Sequence, residues 1–450
     1  MKSTNPFNQE VVFEHKKLTS KNIEKSIDKA QEAFFSWRKT SISERSKLFE
    51  KLAKVLEKNK NKYAKTMTLE MGKPISQSIS EIEKCAWVCK YYAENAENQL
   101  ENNVIKTEAD TSYVRFDPLG VILGVMPWNY PFWQVFRFAV PTLSAGNTVL
   151  LKHASNVMQS AKMIEESFVE AGFPENVFKN LIIGSDKVES ILRNPKVKGV
   201  SLTGSNAAGA AVARVAGEEI KPSLLELGGN NALVVFEDCN MEETIDVCVN
   251  ARFQNTGQSC IAGKRLLLQG TIAKEFLEKL TQKIIALKSG DPLDKETFIS
   301  CMVNEEAAIE LNNQLQDALK KGAELVIGGN YHKAYFEPTL VKNVTSDMRI
   351  FNEETFGPLL ACTIFNSEEE AVDHVNSSPY GLGVSLFTSS KRVQSLIPQL
   401  NEGAVFINEL VKSDPRLPFG GTKNSGYGRE LSGEGILAFV NKKTVYIKGL

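Results

Sequence analysis

Phe253-Gln254-Asn255-Thr256-Gly257-Gln258-Ser259-Cys260 closes a helical period and leaves one cysteine at the end of a polar, glycine-containing stretch. The apolar run Leu266-Leu267-Leu268 follows soon after. A loop just before a strand therefore presents the thiol, and such loops commonly carry reacting groups on a rigid scaffold. An unactivated thiol has a pKa of about 8.5, so only a few per cent is thiolate near pH 7. A loop rich in backbone N–H groups is expected to lower that pKa and to receive a developing oxyanion. The plain alternative is a buried, inert cysteine packing as a small apolar residue.

Outward from this loop the pattern alternates strand and helix. Downstream of Asn231 the periods predict a strand over 232–236, a helix over 242–253, a strand over 265–268 and a helix over 272–287. Beyond Gly290 come a helix over 305–321, a strand over 362–365, a helix over 368–375 and strands near Val384 and Val405. Upstream, a short apolar run over 120–125 precedes Pro127-Trp128-Asn129-Tyr130-Pro131 and an apolar helix. Further strands are expected over 148–152, 181–183 and 197–202, with a helix over 161–171 that Gly172 stops. Residues 18–101 read as helices: Ser20 precedes one, Ser41 or Ser43 caps another, and Pro74 opens a third carrying Ile75, Ile79, Ile82 and Trp87. The fold class is α/β, with two mostly parallel sheets covered by helices and a ligand cleft between them. The tail Lys443-Thr444-Val445-Tyr446-Ile447-Lys448 alternates like a strand with no obvious local partner, so it is expected to complete a sheet in a neighbouring subunit.

Composition narrows the function. With 450 residues, 42% hydrophobic, the chain can build a large core in two or three domains. A formal net charge of -1 gives no global field favouring nucleic acid or an anionic membrane. Lysines over 54–65 alternate with apolar residues as a solvated helix face does. Neither a secretory h-region nor a membrane span is expected. Seven cysteines, an odd count with no CxxC pair, fit free thiols in a reducing cytoplasm. Cys85 and Cys89 read as helix core, and the four histidines have neither ligand nor nucleophile–base spacing, so no metal is expected.

Two stretches upstream of Cys260 carry further chemistry. In Glu226-Leu227-Gly228-Gly229-Asn230 a lone carboxylate sits among Leu224, Leu225 and Leu227. Desolvation raises the pKa of such a group and suits it to act as a general base near neutrality; the alternative is a solvent-facing Glu at a strand end. Leu202-Thr203-Gly204-Ser205 leads into a helix over 206–217, whose first N–H groups suit a phosphate. The G-x-G-x-x-G dinucleotide fingerprint is absent.

These motifs occur in order with Glu353-Glu354-Thr355-Phe356-Gly357-Pro358, Pro418-Phe419-Gly420-Gly421, Ser425-Gly426 and Gly428-Arg429-Glu430. The set resembles the NAD(P)-dependent aldehyde dehydrogenase superfamily over nearly the whole chain, including the Glu226-to-Cys260 spacing. The resemblance implies two Rossmann-like α/β domains and a small β oligomerisation extension. Residues 1–100 and 118–228 would form the cofactor-binding domain, 229–424 the catalytic domain, and 101–117 and 432–450 the oligomerisation strands of a homodimer or homotetramer. It also implies that Cys260 attacks an aldehyde, that the Asn129 amide and the Cys260 N–H hold the oxyanion, and that Glu226 activates water to hydrolyse the thioester. For the cofactor, NADP or NAD, it implies Lys152 and Ser155 at the adenosine ribose, Gly204 and Ser205 at the pyrophosphate, Glu354 on the nicotinamide ribose and Phe356 near the nicotinamide end. Trp128, Gly209 and Leu227 would also bind the cofactor.

Substrate selection turns on a few further positions. Arg137, two helical turns beyond Asn129, matches an arginine that binds the substrate carboxylate in succinate-semialdehyde dehydrogenases. Gln254 stands where some of them carry a second arginine, and Phe419 would line the substrate side. Ala262 replaces the second cysteine that some relatives use for a redox switch. Ser155 replaces the Glu that many NAD-preferring relatives carry, which admits a 2′-phosphate. The expected activity is oxidation of succinate semialdehyde; the alternative is a broad-specificity aldehyde dehydrogenase. Glu226 argues against a CoA-acylating enzyme, intact Asn129, Glu226 and Cys260 against a retired enzyme, and the lack of a paired His against a cysteine hydrolase.

Overall fold

A computed structural model describes residues 1–449. The expected α/β architecture is present. The first sheet has six strands in the order Gly426–Tyr427, Ser223–Glu226, Val197–Thr203, Val121–Met126, Thr148–His153 and Phe178–Asn180. All pair in parallel except Gly426–Tyr427, which runs antiparallel against Ser223–Glu226. The second sheet has seven, with Gly263–Gln269 between Leu359–Phe365 and Asn231–Val235. Only its edge strand Glu324–Ile327 is antiparallel. Both central strand sets are mostly apolar and almost wholly buried, as strands covered on both faces must be.

The amino-terminal helices form where the caps predict. Thr19, one residue before the expected Ser20, accepts the Asn22 N–H and opens Ser20–Trp37. Ser41 and Glu44 form a reciprocal capping box on Ile42–Met71, and Gly72, at φ +78°, ends it. Pro74 then precedes Ile75–Gln99. On that helix Trp87 is exposed rather than core: Cys85, Ala86 and Cys89 take the inward face, and the Arg416 guanidinium lies 5.4 Å over the Trp87 ring.

Two expectations need correction, and one element is new. The edge strand is Phe178–Asn180, not 181–183; Leu181 keeps one bond to the Leu151 carbonyl, and the chain then leaves the sheet with Leu181 and Ile183 buried as packing. The tail strand Val440–Ile447 has a partner in its own chain, Thr111–Pro118, from Val440 against Pro118 to Ile447 against Thr111. Asn103–Val104 completes that three-stranded antiparallel sheet, whose outer strand Val440–Ile447 has one unpaired edge. A hairpin of Lys2–Thr4 with Val11–Glu14 was not evident from the sequence pattern.

The site lies where the two large sheets face each other. Strands Val121–Met126, Thr148–His153, Val197–Thr203 and Ser223–Glu226 all end at one edge of the first sheet, carrying Trp128 and Asn129, Lys152, Gly204 and Ser205, and Glu226. The Cys260 loop enters Gly263–Gln269 of the second sheet opposite that edge. Ligands bind at such carboxyl edges in open α/β sheets.

Candidate active site

The loop that carries Cys260 is strained and tightly held. Asn255, Thr256 and Gly257 take consecutive left-handed conformations, at φ 56°, 53° and 71°. For a non-glycine residue this costs about 1–2 kcal/mol, so the surroundings must impose it. The Asn255 N–H donates to Gln77 Oε1 at 2.6 Å, and its side-chain amide donates to the carbonyls of Asn129 and Gln258 at 2.9 and 3.1 Å. Thr256 Oγ1 accepts the Ser300 N–H, and Gln258 Oε1 accepts the Val303 N–H. At Gly257 a Cβ would stand 2.3 Å from the Gly357 carbonyl oxygen, so no side chain fits.

Lys264 fixes the loop from below. Its fully buried ammonium donates to the Ser259 and Cys260 carbonyls, both at 2.8 Å, and lies 3.1 Å from Glu354 Oε1. Glu354 in turn accepts the Gly229 N–H at 3.1 Å. One lysine thus ties the cysteine loop to the segment carrying Glu354 and Phe356. Arg252, also fully buried, holds that segment through the Thr355, Gly357 and Leu359 carbonyls.

The Cys260 thiol does not have the low pKa expected of it. Burial pushes it up to about 11; the positive charges of Arg137 and Lys264 oppose this, while Glu354 and Glu226 add to it. Desolvation of the thiolate outweighs the pull of these two cations. The Cys260 N–H has no protein acceptor among the described residues. The Asn129 amide donates one hydrogen to the Gln258 carbonyl at 3.2 Å, which leaves its second free.

Cys260 lines two cavities. The larger, about 230 Å³, is bounded by Trp128, Asn129, Gly204, Ser205, Leu227, Glu354 and Phe356. Trp128 and Phe356 meet edge to face, with ring centroids 5.8 Å apart. The smaller, about 130 Å³, is bounded by Tyr130, Trp133, Arg137, Gln254 and Phe419, among others. Gln134 lines both.

Glu226 lines neither cavity. It is buried at the end of its strand, and Oε1 has no hydrogen-bond partner. Its carboxyl is held well above the usual carboxylate range, first by burial and then by the charge of Glu430, against the pull of Arg137 and Arg429. Gly420 packs on it so closely that a Cβ there would stand 2.7 Å from Oε1. Arg137 is also committed. Its guanidinium forms an ion pair with buried Glu430, donates to Thr203 Oγ1 at 3.3 Å and stacks 4.5 Å over the Phe419 ring. Arg137, expected to bind the substrate carboxylate, lines the smaller cavity with its guanidinium already paired to a carboxylate of the same chain. Gln254 keeps its place in the cavity wall.

The remaining expected cofactor residues divide. Ser205 caps helix Asn206–Glu218 by accepting the Ala208 N–H, and the Asn206 and Ala207 N–H groups have no protein acceptor. Gly209 lies behind the cavity, where a Cβ would stand 2.6 Å from Leu227 Cδ2; it lets the helix close on Leu227. Lys152, buried at its strand end, forms no ion pair among the described residues, and burial lowers its pKa. Ser155 is exposed on the following turn.

Sequence reasoning missed Lys264, Arg252 and the pair Lys73–Glu81, and it quoted Glu430 within a motif without giving it a role. Glu81 accepts the Phe132 and Trp133 N–H groups, both at 2.9 Å, and so anchors the start of the helix that carries Arg137. The available signal was a charged residue inside an apolar or motif stretch, as in Gly263-Lys264-Arg265-Leu266.

The aldehyde dehydrogenase family model matches residues 1–445, and the chain belongs to that family. It is 44% identical over 429 residues, 94% of each chain, to a probable succinate-semialdehyde dehydrogenase [NADP(+)] of Synechocystis sp.. It is 41% identical over 451 residues, 98% of this chain and 96% of the relative, to a succinate-semialdehyde dehydrogenase [NADP(+)] of Mycobacterium avium. A crystal structure of succinic semialdehyde dehydrogenase from Streptococcus pyogenes, in complex with NADP+, superposes with a TM-score of 0.97 at 35% identity, covering 100% of both chains.

Proposed function

We propose that this aldehyde dehydrogenase oxidises succinate semialdehyde to succinate, that NADP+ is its preferred cofactor, and that Cys260 is its nucleophile. The observation that carries the proposal is the position of Cys260 in the wall of two cavities, one suited to a cofactor and one to a small aldehyde. The substrate and cofactor are supported by the names of the relatives and of the neighbouring structure.

The residues of the larger cavity fit a nicotinamide dinucleotide. Trp128, Leu227 and Phe356 offer apolar walls to a flat ring, Glu354 a carboxylate for ribose hydroxyls, and the helix start after Ser205 unsatisfied N–H groups for phosphate. When bound, the nicotinamide supplies the hydride acceptor. The lone buried charge of Lys152, with the neutral Ser155 after it, suits a 2′-phosphate.

On the protein side, Cys260 Sγ releases its proton to solvent and the thiolate bonds to the aldehyde carbon; the C=O π pair moves to oxygen, giving a thiohemiacetal oxyanion. The second hydrogen of the Asn129 amide and the free Cys260 N–H receive the oxyanion. Loss of hydride leaves a thioester on Cys260. Glu226, once deprotonated, takes a proton from water; the hydroxide adds to the thioester carbon and the Cys260 thiolate leaves with its electron pair. The burial that raises the pKa of Glu226 also makes its anion a stronger base.

The division into a cofactor-binding and a catalytic domain is retained as part of this proposal. The unpaired edge of Val440–Ile447 supports assembly into a homodimer or homotetramer through the three-stranded sheet. Seven free cysteines support a cytoplasmic setting, and no helix of the described residues is long and apolar enough to cross a membrane. The test is kcat/KM for succinate semialdehyde and butanal, each with NADP+ and NAD+. A preference for succinate semialdehyde with NADP+ is expected; equal rates for the two aldehydes would favour broad specificity.

A further inference from the structure

Three cationic side chains line the smaller cavity beside Cys260: Lys84, Arg137 and Lys412. Two already have carboxylates. Arg137 is paired with Glu430, and Lys412 with Glu409 at 2.7 Å. Lys84, half-buried on helix Ile75–Gln99, forms no ion pair among the described residues. The two carboxylates whose charge acts on it, Glu81 and Asp414, are engaged elsewhere. Glu81 holds Lys73 and two backbone N–H groups, and Asp414 holds Arg416 at 2.6 Å.

What Lys84 does have is a hydroxyl. Its Nζ donates to Ser413 Oγ at 2.9 Å and lies 4.4 Å from the centre of the Trp133 ring. Trp133 Nε1 donates to the same oxygen at 3.0 Å. Ser413 Oγ therefore accepts twice, and its own hydrogen has no acceptor. An uncompensated ammonium and a free O–H thus border one small cavity, which is the donor set of a carboxylate receptor. Burial and then the charge of Arg137 lower the Lys84 pKa to about 8, a penalty that an anion in the cavity would relieve.

We propose that Lys84 is the cation that receives the distal carboxylate of the substrate, while Arg137 remains the partner of Glu430. The proposal rests on the semialdehyde reading above. A charge-assisted bond of this kind changes selectivity by roughly ten- to a hundredfold. The experiment measures the ratio of kcat/KM for succinate semialdehyde to that for butanal in wild type, Lys84→Met and Lys84→Gln. The wild-type ratio tests the substrate reading by itself: no preference for the charged aldehyde defeats that reading. Given a preference, a fall in the ratio by about tenfold or more in the neutral variants supports Lys84. A ratio within about twofold of wild type overturns it, below the weakest effect such a bond should give. A second measurement uses the unmutated enzyme, in case the variants are inactive with both aldehydes. Succinate is expected to slow reductive methylation of Lys84, read by peptide mass spectrometry, while butanamide does not. Equal labelling of Lys84 in both would overturn the assignment.

Discussion

The ammonium of Lys264 lies 3.1 Å from Glu354 Oε1 while donating to the Cys260 carbonyl at 2.8 Å. One fully buried cation therefore couples the proposed nucleophile to the carboxylate proposed to hold the cofactor ribose. Lys264→Met removes both connections. The expected result is a fall in kcat of about 10²-fold, the scale of a small misplacement of reacting groups, together with a raised KM for NADP+. A variant that loses stability but keeps the kinetic constants of wild type would make Lys264 purely structural.

Cys260 should be slow to alkylate near neutral pH when no cofactor is present. With a pKa of about 11, its thiolate fraction stays small and rises about tenfold per pH unit from pH 7 to pH 9. The rate of carbamidomethylation by iodoacetamide, followed on the Cys260 peptide, should rise with that slope. A plateau within this range would mean that the resting thiol is already ionised.

Arg137→Leu should damage the enzyme without discriminating between aldehydes. It leaves Glu430 buried beside Glu226 with no cation. Removing one partner of a buried ion pair costs about 3–5 kcal/mol, and replacing both with apolar residues often restores stability. The denaturation midpoint should drop in Arg137→Leu and recover in part in Arg137→Leu/Glu430→Leu. A normal midpoint with a selective loss of succinate semialdehyde activity would return the carboxylate to Arg137.

Ser155→Glu should turn the enzyme away from NADP+. It places a carboxylate on the exposed turn that follows Lys152, where a 2′-phosphate is proposed to sit. Repulsion of about 1.4 kcal/mol would already cost tenfold in kcat/KM with NADP+. With NAD+ the value should hold or improve. Equal losses with both cofactors would place the 2′-phosphate elsewhere.

The fold was legible because its signals are local. Apolar strand runs such as Val121-Ile122-Leu123 and caps such as Ser41 with Glu44 lie within a few residues of one another. The Val440–Ile447 strand was legible as a strand but not in its pairing, because Thr111–Pro118 stands far earlier in the chain. The site divides in the same way. Cys260, Asn129 and Glu354 stood out in motifs and line one cavity. The raised pKa of Cys260 did not, because it comes from burial and only packing reveals burial. Arg137 was legible as a residue but its ion pair was not, since Glu430 reaches it from a segment nearly three hundred residues along the chain. Lys264, between Gly263 and Arg265, and Lys84, after Glu83, gave no signal of their partners in their own neighbourhoods; their importance comes from which partners they have and lack.

The central claim is that the carbon skeleton of the substrate is carried as a thioester on Cys260 until Glu226 brings in water. The direct measurement mixes Glu226→Gln enzyme with succinate semialdehyde and NADP+, quenches it in acid and determines the mass of the intact protein and of the Cys260 peptide. A burst of NADPH matched by a succinyl adduct on Cys260 is the predicted result, because the amide cannot take the proton from water and the thioester accumulates. Steady turnover with no adduct on Cys260, or turnover that survives Cys260→Ala, would contradict it.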